Sequence, residues 1–318
     1  MSRETEKIMK QLMQYMEAHQ DELGDGVDEN DLAQRFMAEY NATVQPRNVR
    51  TLPQTADDYL ELAEDATSKK KKLEHLSKAL ELEPDNLDAA RMVAELNAKK
   101  PEDLLTSFSM LIEKGNALME KEGYFKDCMG DFWGLLETRP YMRLRHSYLE
   151  LLIECGMMRK AVGEAEEMLK LCSGDNLGVR YTLMHLYAYW ENEDAALSLH
   201  KKFDEYEESQ MLFPLAVLYY KKGDFELSLQ YLSRLAKVNK DTKKFLNAIA
   251  NDRAEDFLEH LSPYGYQPFT IEELILEYWE NHYLFDGVAH FFDWACRSLK
   301  KLPAQPGHPN RKHNPGAN

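Results

Sequence analysis

The chain lacks the short motifs that announce common chemistries. No G-x-x-x-x-G-K-[ST] and no G-x-G-x-x-G occurs, which removes two phosphate cradles. No H-E-x-x-H occurs, and none of the ten histidines pairs with Cys or Asp at ligand spacing on one helix. Cys128, Cys155, Cys172 and Cys296 stand far apart with no C-x-x-C, so reduced, partly buried thiols are expected rather than a disulfide or zinc framework. No stretch approaches the ~18 apolar residues of a membrane span, and the opening M-S-R-E-T-E-K has no apolar signal core, so a cytoplasmic address is expected. Basic residues are the minority, 39 against 55 acidic, for a formal charge of −16. Such a field repels phosphate backbones and argues against nucleic-acid partners.

Breakers are also scarce. With 15 Gly and 12 Pro in 318 residues, and abundant Leu, Glu, Lys, Ala and Met, the composition points to helix. Residues 4–20 carry Ile8, Leu12, Met13, Tyr15 and Met16 on one side, and with a helix ending near Tyr40 they form an N-terminal helical pair, 1–45. Pro46 and Pro53 mark a linker. A first helical-hairpin block follows over 56–98, where Leu73, Leu76, Ala79 and Leu80 are helically spaced, Pro84 stops the helix and Asn86 starts the next. Residues 99–139 read as an irregular helical insertion or degenerate repeat, interrupted by Gly115, Gly123, Gly130 and Gly134. Regular pairs return over 140–260. Residues 261–302 give C-terminal capping helices, with Thr270 and Glu273 as a capping box and Val288, Phe291, Phe292, Ala295 and Leu299 as a closing apolar stripe. The tail, 303–318, is predicted to be disordered.

A period is present. Gly156 and Gly223 occupy equivalent turns 67 residues apart, close to twice a unit of about 34. Ala161, Ala196 and Ser228, spaced by 35 and 32, are the small residues at which paired helices approach. The stretches Y-Y-K-K-G-D-F-E (Tyr219 to Glu226) and K-A-L-E-L-E-P-D-N (Lys78 to Asn86) resemble tetratricopeptide repeats, and D-N-L-G-V-R-Y (Asp175 to Tyr181) resembles a variant found in one branch of that family. The resemblance implies an all-α fold, a right-handed α-solenoid of stacked antiparallel helix pairs with helical N- and C-terminal extensions. Each pair has two apolar flanks and hides them by stacking on its neighbours.

The same resemblance implies a concave groove lined by first-helix side chains. These are Arg143, His146 and Glu150 from one unit, Tyr181, His185 and Tyr189 from the next, and Phe213 and Tyr220 from the third, with Leu183, Tyr187, Leu215 and Tyr219 in the core. Rigid aromatics with Arg and His are anchors for a peptide. The competing reading is that all these aromatics are packing residues. Other candidate sites are poorer. The turn from Asp21 to Asn30 mimics a calcium loop, but Leu23 and Leu32 stand where oxygen ligands belong. Lys69 to Lys72 read as a solvated turn, and His308 and His313 as part of a polar tail. His146 with Glu150, or His282 with Glu277, would be acid–base pairs in an enzyme, yet any acidic helical protein supplies such pairs. The expectation is a non-enzymatic scaffold or adaptor without cofactor or metal, binding another protein or peptide in its groove. The rival is a regulatory receptor that senses a small peptide or metabolite by changing superhelix shape.

Overall fold

The structure, a computed structural model, describes residues 3–23, 28–43, 53–260 and 266–301. The middle of the acidic turn, most of the Pro46–Pro53 linker, the start of the loop at Pro263, and the tail with His308 and His313 lie outside the described residues. Where the chain is described, its regular structure is helical, as the scarcity of Gly and Pro predicts. No strand forms among those residues, and β pairing is confined to single bridges from Gly130 and Asp131 to Cys172. The chain divides into two units, Met1–Leu177 and Gly178–Asn318. The division falls within the D-N-L-G-V-R-Y segment, where Gly178 takes a left-handed φ of +71°.

The first unit opens with α1 (Arg3–Ala18) and α2 (Glu29–Thr43), which pack on each other. The pair α3 (Ala56–Asp65) and α4 (Lys69–Leu82) follows, then α5 (Leu87–Asn97). Thr55 and Asp58 cap α3 reciprocally, a capping box. Asn86 caps α5 as the sequence predicts, its side chain accepting from the Ala89 N–H at 2.9 Å. Leu60, Leu76, Ala79 and Ala89 make the local core. The lysine run is not the turn expected. Ser68 caps α4, so Lys69 to Lys72 form its first helical turn.

Helix α6 (Pro101–Lys121) runs unbroken through Gly115, which was expected to interrupt it. The glycine serves packing instead. A Cβ there would lie 2.6 Å from Tyr141 Cδ2, so only glycine lets α6 approach Tyr141. A short α7 (Tyr124–Asp127) leads to α8 (Arg139–Glu154) and α9 (Met158–Leu171), which form a hairpin around Gly156 (φ +69°). Arg145 fastens this hairpin through two bonds to Glu164, at 2.5 and 3.1 Å.

The second unit contains α10 (Val179–Tyr189), α11 (Glu193–Lys202), α12 (Ser209–Lys221), α13 (Phe225–Val238) and α14 (Thr242–Ala250). Helices α12 and α13 turn at Gly223 (φ +78°), and Asp224 caps α13 by accepting from the Leu227 N–H at 3.0 Å. Ala161, Ala196 and Ser228 are all buried, as close helix approach requires. The unit ends with α15 (Ile271–Glu280), α16 (His282–Phe285) and α17 (Ala289–Lys301). Thr270 makes no side-chain cap on α15. Glu273 turns instead to the Phe269 N–H at 2.8 Å, and Asp241 accepts from the Ile271 N–H at 3.1 Å, which ties the start of α15 to that of α14.

Candidate functional site

The eight groove candidates fall in two different settings, three in a charged row in the first unit and five in an aromatic group in the second. Tyr181, His185, Tyr189, Phe213 and Tyr220 belong to the second unit, and its C-terminal helices lie on the last four. Phe213 is wholly buried. Its ring stacks on Phe285 at 4.7 Å and meets Phe245 edge-on at 5.4 Å, with Phe291 and Phe292 also in reach. Tyr220 packs against Phe291 and Trp294, and Tyr189 against Tyr283. The apolar stripe of α17 therefore does more than close an open end. It covers side chains that were expected to meet a ligand.

His185 is buried too, at 1% exposure. Its Nδ1 contacts the Tyr181 carbonyl at 2.8 Å and its Nε2 contacts Glu277 Oε1 at 3.1 Å. A carbonyl can only accept, so Nδ1 carries a proton. A second proton then sits between Nε2 and Oε1, and the pair is neutral as a whole whichever atom holds it. Burial drives the Glu277 carboxyl upward, and the His185 contact opposes this. His282, the imagined partner of Glu277, contacts the Trp279 carbonyl at 3.2 Å. One turn earlier on α15, Glu273 Oε2 accepts from Ser209 Oγ at 3.0 Å and Asn239 Nδ2 at 3.3 Å. Two buried carboxylates thus pin α15 to α10, α12 and the end of α13. Tyr181 is engaged differently within the unit. Its ring carries the Arg180 guanidinium at 4.1 Å, and its hydroxyl donates to Glu208 at 2.9 Å.

Arg143, His146 and Glu150 belong to the first unit, on α8. Their spacing puts them along one side of that helix, and Arg139, one turn before Arg143, extends the row. Arg143 is gripped on two sides. Its Nε and Nη2 donate to Asp88 at 3.0 and 2.5 Å, and its Nη1 donates to both oxygens of Glu6 at 3.0 Å. Burial works against the charge on Arg143, but these carboxylates outweigh it and favour the cation. Arg139 donates from Nη1 to Glu6 at 3.2 Å and from Nε to the Trp133 carbonyl at 2.8 Å. Beyond them His146 Nδ1 faces Glu150 Oε1 at 3.6 Å on a more open part of the helix. The histidine draws the Glu150 carboxyl below its ordinary range, with burial opposing.

Glu6, Asp88 and Arg139 were not singled out by sequence. Arg139 had a usable signal, its position one turn from Arg143. Glu6 had none, since 137 residues separate it from Arg143. Among the described residues no group of three His, Cys, Asp or Glu is arranged to hold a metal ion. None of the helices among them is long and apolar enough to cross a membrane. A comparison with models of known protein families returned no match, and neither did a comparison with curated proteins.

Proposed function

We propose that this chain is a non-enzymatic scaffold that holds a helical peptide or a partner protein on the first-helix face of stacked hairpins, in the manner of tetratricopeptide proteins. The proposal includes a solenoid-like stacking of those hairpins. The observation that carries it is in the first unit, where α8 already receives a helix, α1, across the row Arg139, Arg143. A face that accepts a helix of its own chain has the shape and the donors to accept another. The partner-facing set is then Arg143, His146 and Glu150. The aromatic set of the second unit serves the packing of its own C-terminal helices.

Affinity purification from the native cell, with quantification of every recovered protein, tests this. Arg143→Glu and the double variant His146→Ala/Glu150→Ala are compared with wild type and with Lys201→Glu, an exposed position in the other unit. The expected result is one set of proteins lost from both α8 variants and kept by Lys201→Glu. Equal recovery from all four chains refutes binding at this face. The double variant changes half-buried and exposed side chains only, so its result does not hinge on folding.

A further inference from the structure

Helix α1 is held in an unusual way. Among its described residues, the one that is buried is a carboxylate, Glu6, at 6% exposure. The apolar residues Ile8, Leu12 and Met16 are half-buried, and Met13 is exposed. Tyr15 packs on Phe36 of α2 and donates to Glu39 there, while the grip on α3 is ionic. Lys7 reaches Asp58 and Glu61 on α3, and Lys10 reaches Asp57 at 2.8 Å. Helices that belong permanently to a core bury an apolar stripe. Helix α1 docks on α3 through part-exposed lysine pairs, which hold it weakly and which salt weakens further.

The receiving site does not depend on α1 for its form. Asp88 holds the Arg143 guanidinium through Nε and Nη2, which leaves Nη1 for Glu6. The Trp133 carbonyl holds Arg139 through Nε, and the Trp133 ring lies 5.5 Å from its guanidinium carbon. The two arginines therefore stay aimed when Glu6 leaves, and a preorganised site loses little on binding a replacement. Arg91 stands on the far side of Asp88 at 3.9 Å. With Glu6 withdrawn, Arg143 and Arg91 share the Asp88 carboxylate, Arg91 also pairing with Glu95 at 2.5 Å, and the Glu6 carboxylate no longer offsets the charge of Arg139 and Arg143. Guanidinium pairs in this setting select carboxylates by geometry as well as charge.

We propose that the Arg139–Arg143 face of α8 is a carboxylate-recognition site for a helical segment of another protein that carries a glutamate followed by basic residues, and that α1 is its built-in competitor, released when that segment binds. This deepens the scaffold reading and rests on it. The segment it fits copies the chemistry of α1: a glutamate with basic residues one and four positions later, as in Glu6, Lys7 and Lys10, so that the acid meets the arginines while the bases meet Asp57, Asp58 and Glu61.

The test uses the full chain and a labelled synthetic peptide of residues 3–18 as the probe. Fluorescence anisotropy at low salt is measured for the wild-type chain and for Glu6→Gln, whose own α1 has lost its acid. Expected is binding roughly tenfold tighter to Glu6→Gln than to wild type, a comparable loss when the peptide itself carries Glu6→Gln, and weakening as salt rises. Hydrogen exchange on Glu6→Gln is expected to show α1 exchanging faster with α8 unchanged. The proposal is overturned if acid and amide peptides bind alike, if neither binds a chain whose α1 has come free, or if α1 keeps its protection in Glu6→Gln. It is also overturned if wild type forms a dimer that the peptide dissolves, since the occupant would then be the α1 of a second copy. Those failures leave the scaffold reading standing as long as the α8 variants still lose partners in the purification. Equal recovery there refutes the reading itself.

Discussion

Replacing Phe213 by alanine separates a ligand-facing side chain from a structural one. Phe213 is fully buried, and its four ring neighbours, Phe245, Phe285, Phe291 and Phe292, come from α14, α16 and α17. No single rotation in one element fills the space a lost ring leaves. Core Phe→Ala changes cost about 3–5 kcal/mol, and each well-placed aromatic pair adds roughly 0.5–1.5 kcal/mol beyond its buried area. The expected loss is therefore toward the upper end, about 5 kcal/mol. Phe213→Leu fills more of the space but loses the same ring pairs, so it should cost less than the alanine change while remaining clearly destabilising. On an open groove wall both changes would fall within about 0.5 kcal/mol of zero. Urea unfolding followed by tryptophan fluorescence is the assay. Trp190, Trp279 and Trp294 report on the second unit, and a Trp133→Phe background silences the first. The transition of the second unit is fitted alone, because a chain with two units need not unfold in one step. A Phe213→Ala midpoint close to wild type would show that the C-terminal helices do not cover this face.

Two further outcomes are expected. Gly163 and Gly115 both lie inside helices, yet their alanine variants should move stability in opposite directions. Gly163 has open space where a Cβ would go, so Gly163→Ala should gain about 0.5–1 kcal/mol, whereas Gly115→Ala meets the Tyr141 ring at 2.6 and 2.9 Å and should lose about 1–3 kcal/mol. Shifts of the same sign in chemical denaturation would refute the packing role given to Gly115. Asp58 is subject to burial, which raises its carboxyl, but hydrogen bonds from Lys7 and from the Gln54 and Thr55 N–H groups prevail and hold it at about 2. Its folded value is below the unfolded one, so the stabilisation is present above about pH 4 and lost as pH falls toward 2. Because the group is largely solvated, the effect is about 1 kcal/mol or less. Acid titration of thermal stability should show a smaller loss over that window in Asp58→Asn, and an unchanged acid slope would refute the assignment.

The turns at Gly156 and Gly223 and the cap at Asn86 were legible because they are local. Gly156 and Gly223 each end a helix in the left-handed region, and Asn86 opens the next helix with its own side chain; in each case the cause lies within a few residues of the effect. Helical periodicity also reported which sides of α10 and α12 are apolar or aromatic. It could not report what meets those sides. The same row of aromatics suits an open groove and a face covered by α17, and the choice is made by a segment about seventy residues later that periodicity treats separately. Gly115 shows the converse. As a breaker it suggests an interrupted helix, and only the distant Tyr141 gives it a reason to sit within one.

The two covered faces differ in kind, and the difference bears on where a partner would act. In the second unit the cover is aromatic and continuous, with Glu273 and Glu277 as buried pins, so removing it exposes a core and strands a buried histidine–carboxylate pair. Such a cover is part of the fold. In the first unit α1 presents a carboxylate to two arginines that other groups already hold in place, and its hold on α3 is ionic. Lifting it gives up part-exposed lysine pairs that water and salt replace at modest expense and a buried Glu6 contact that another carboxylate has to replace, and it uncovers donors in place of phenyl rings. Aromatic richness drew attention to Phe213 and Tyr220, yet those rings are committed to the second unit's own packing. The exchangeable contact is the charged one, which makes α8, not α12, the helix where competition between chain and partner would be decided.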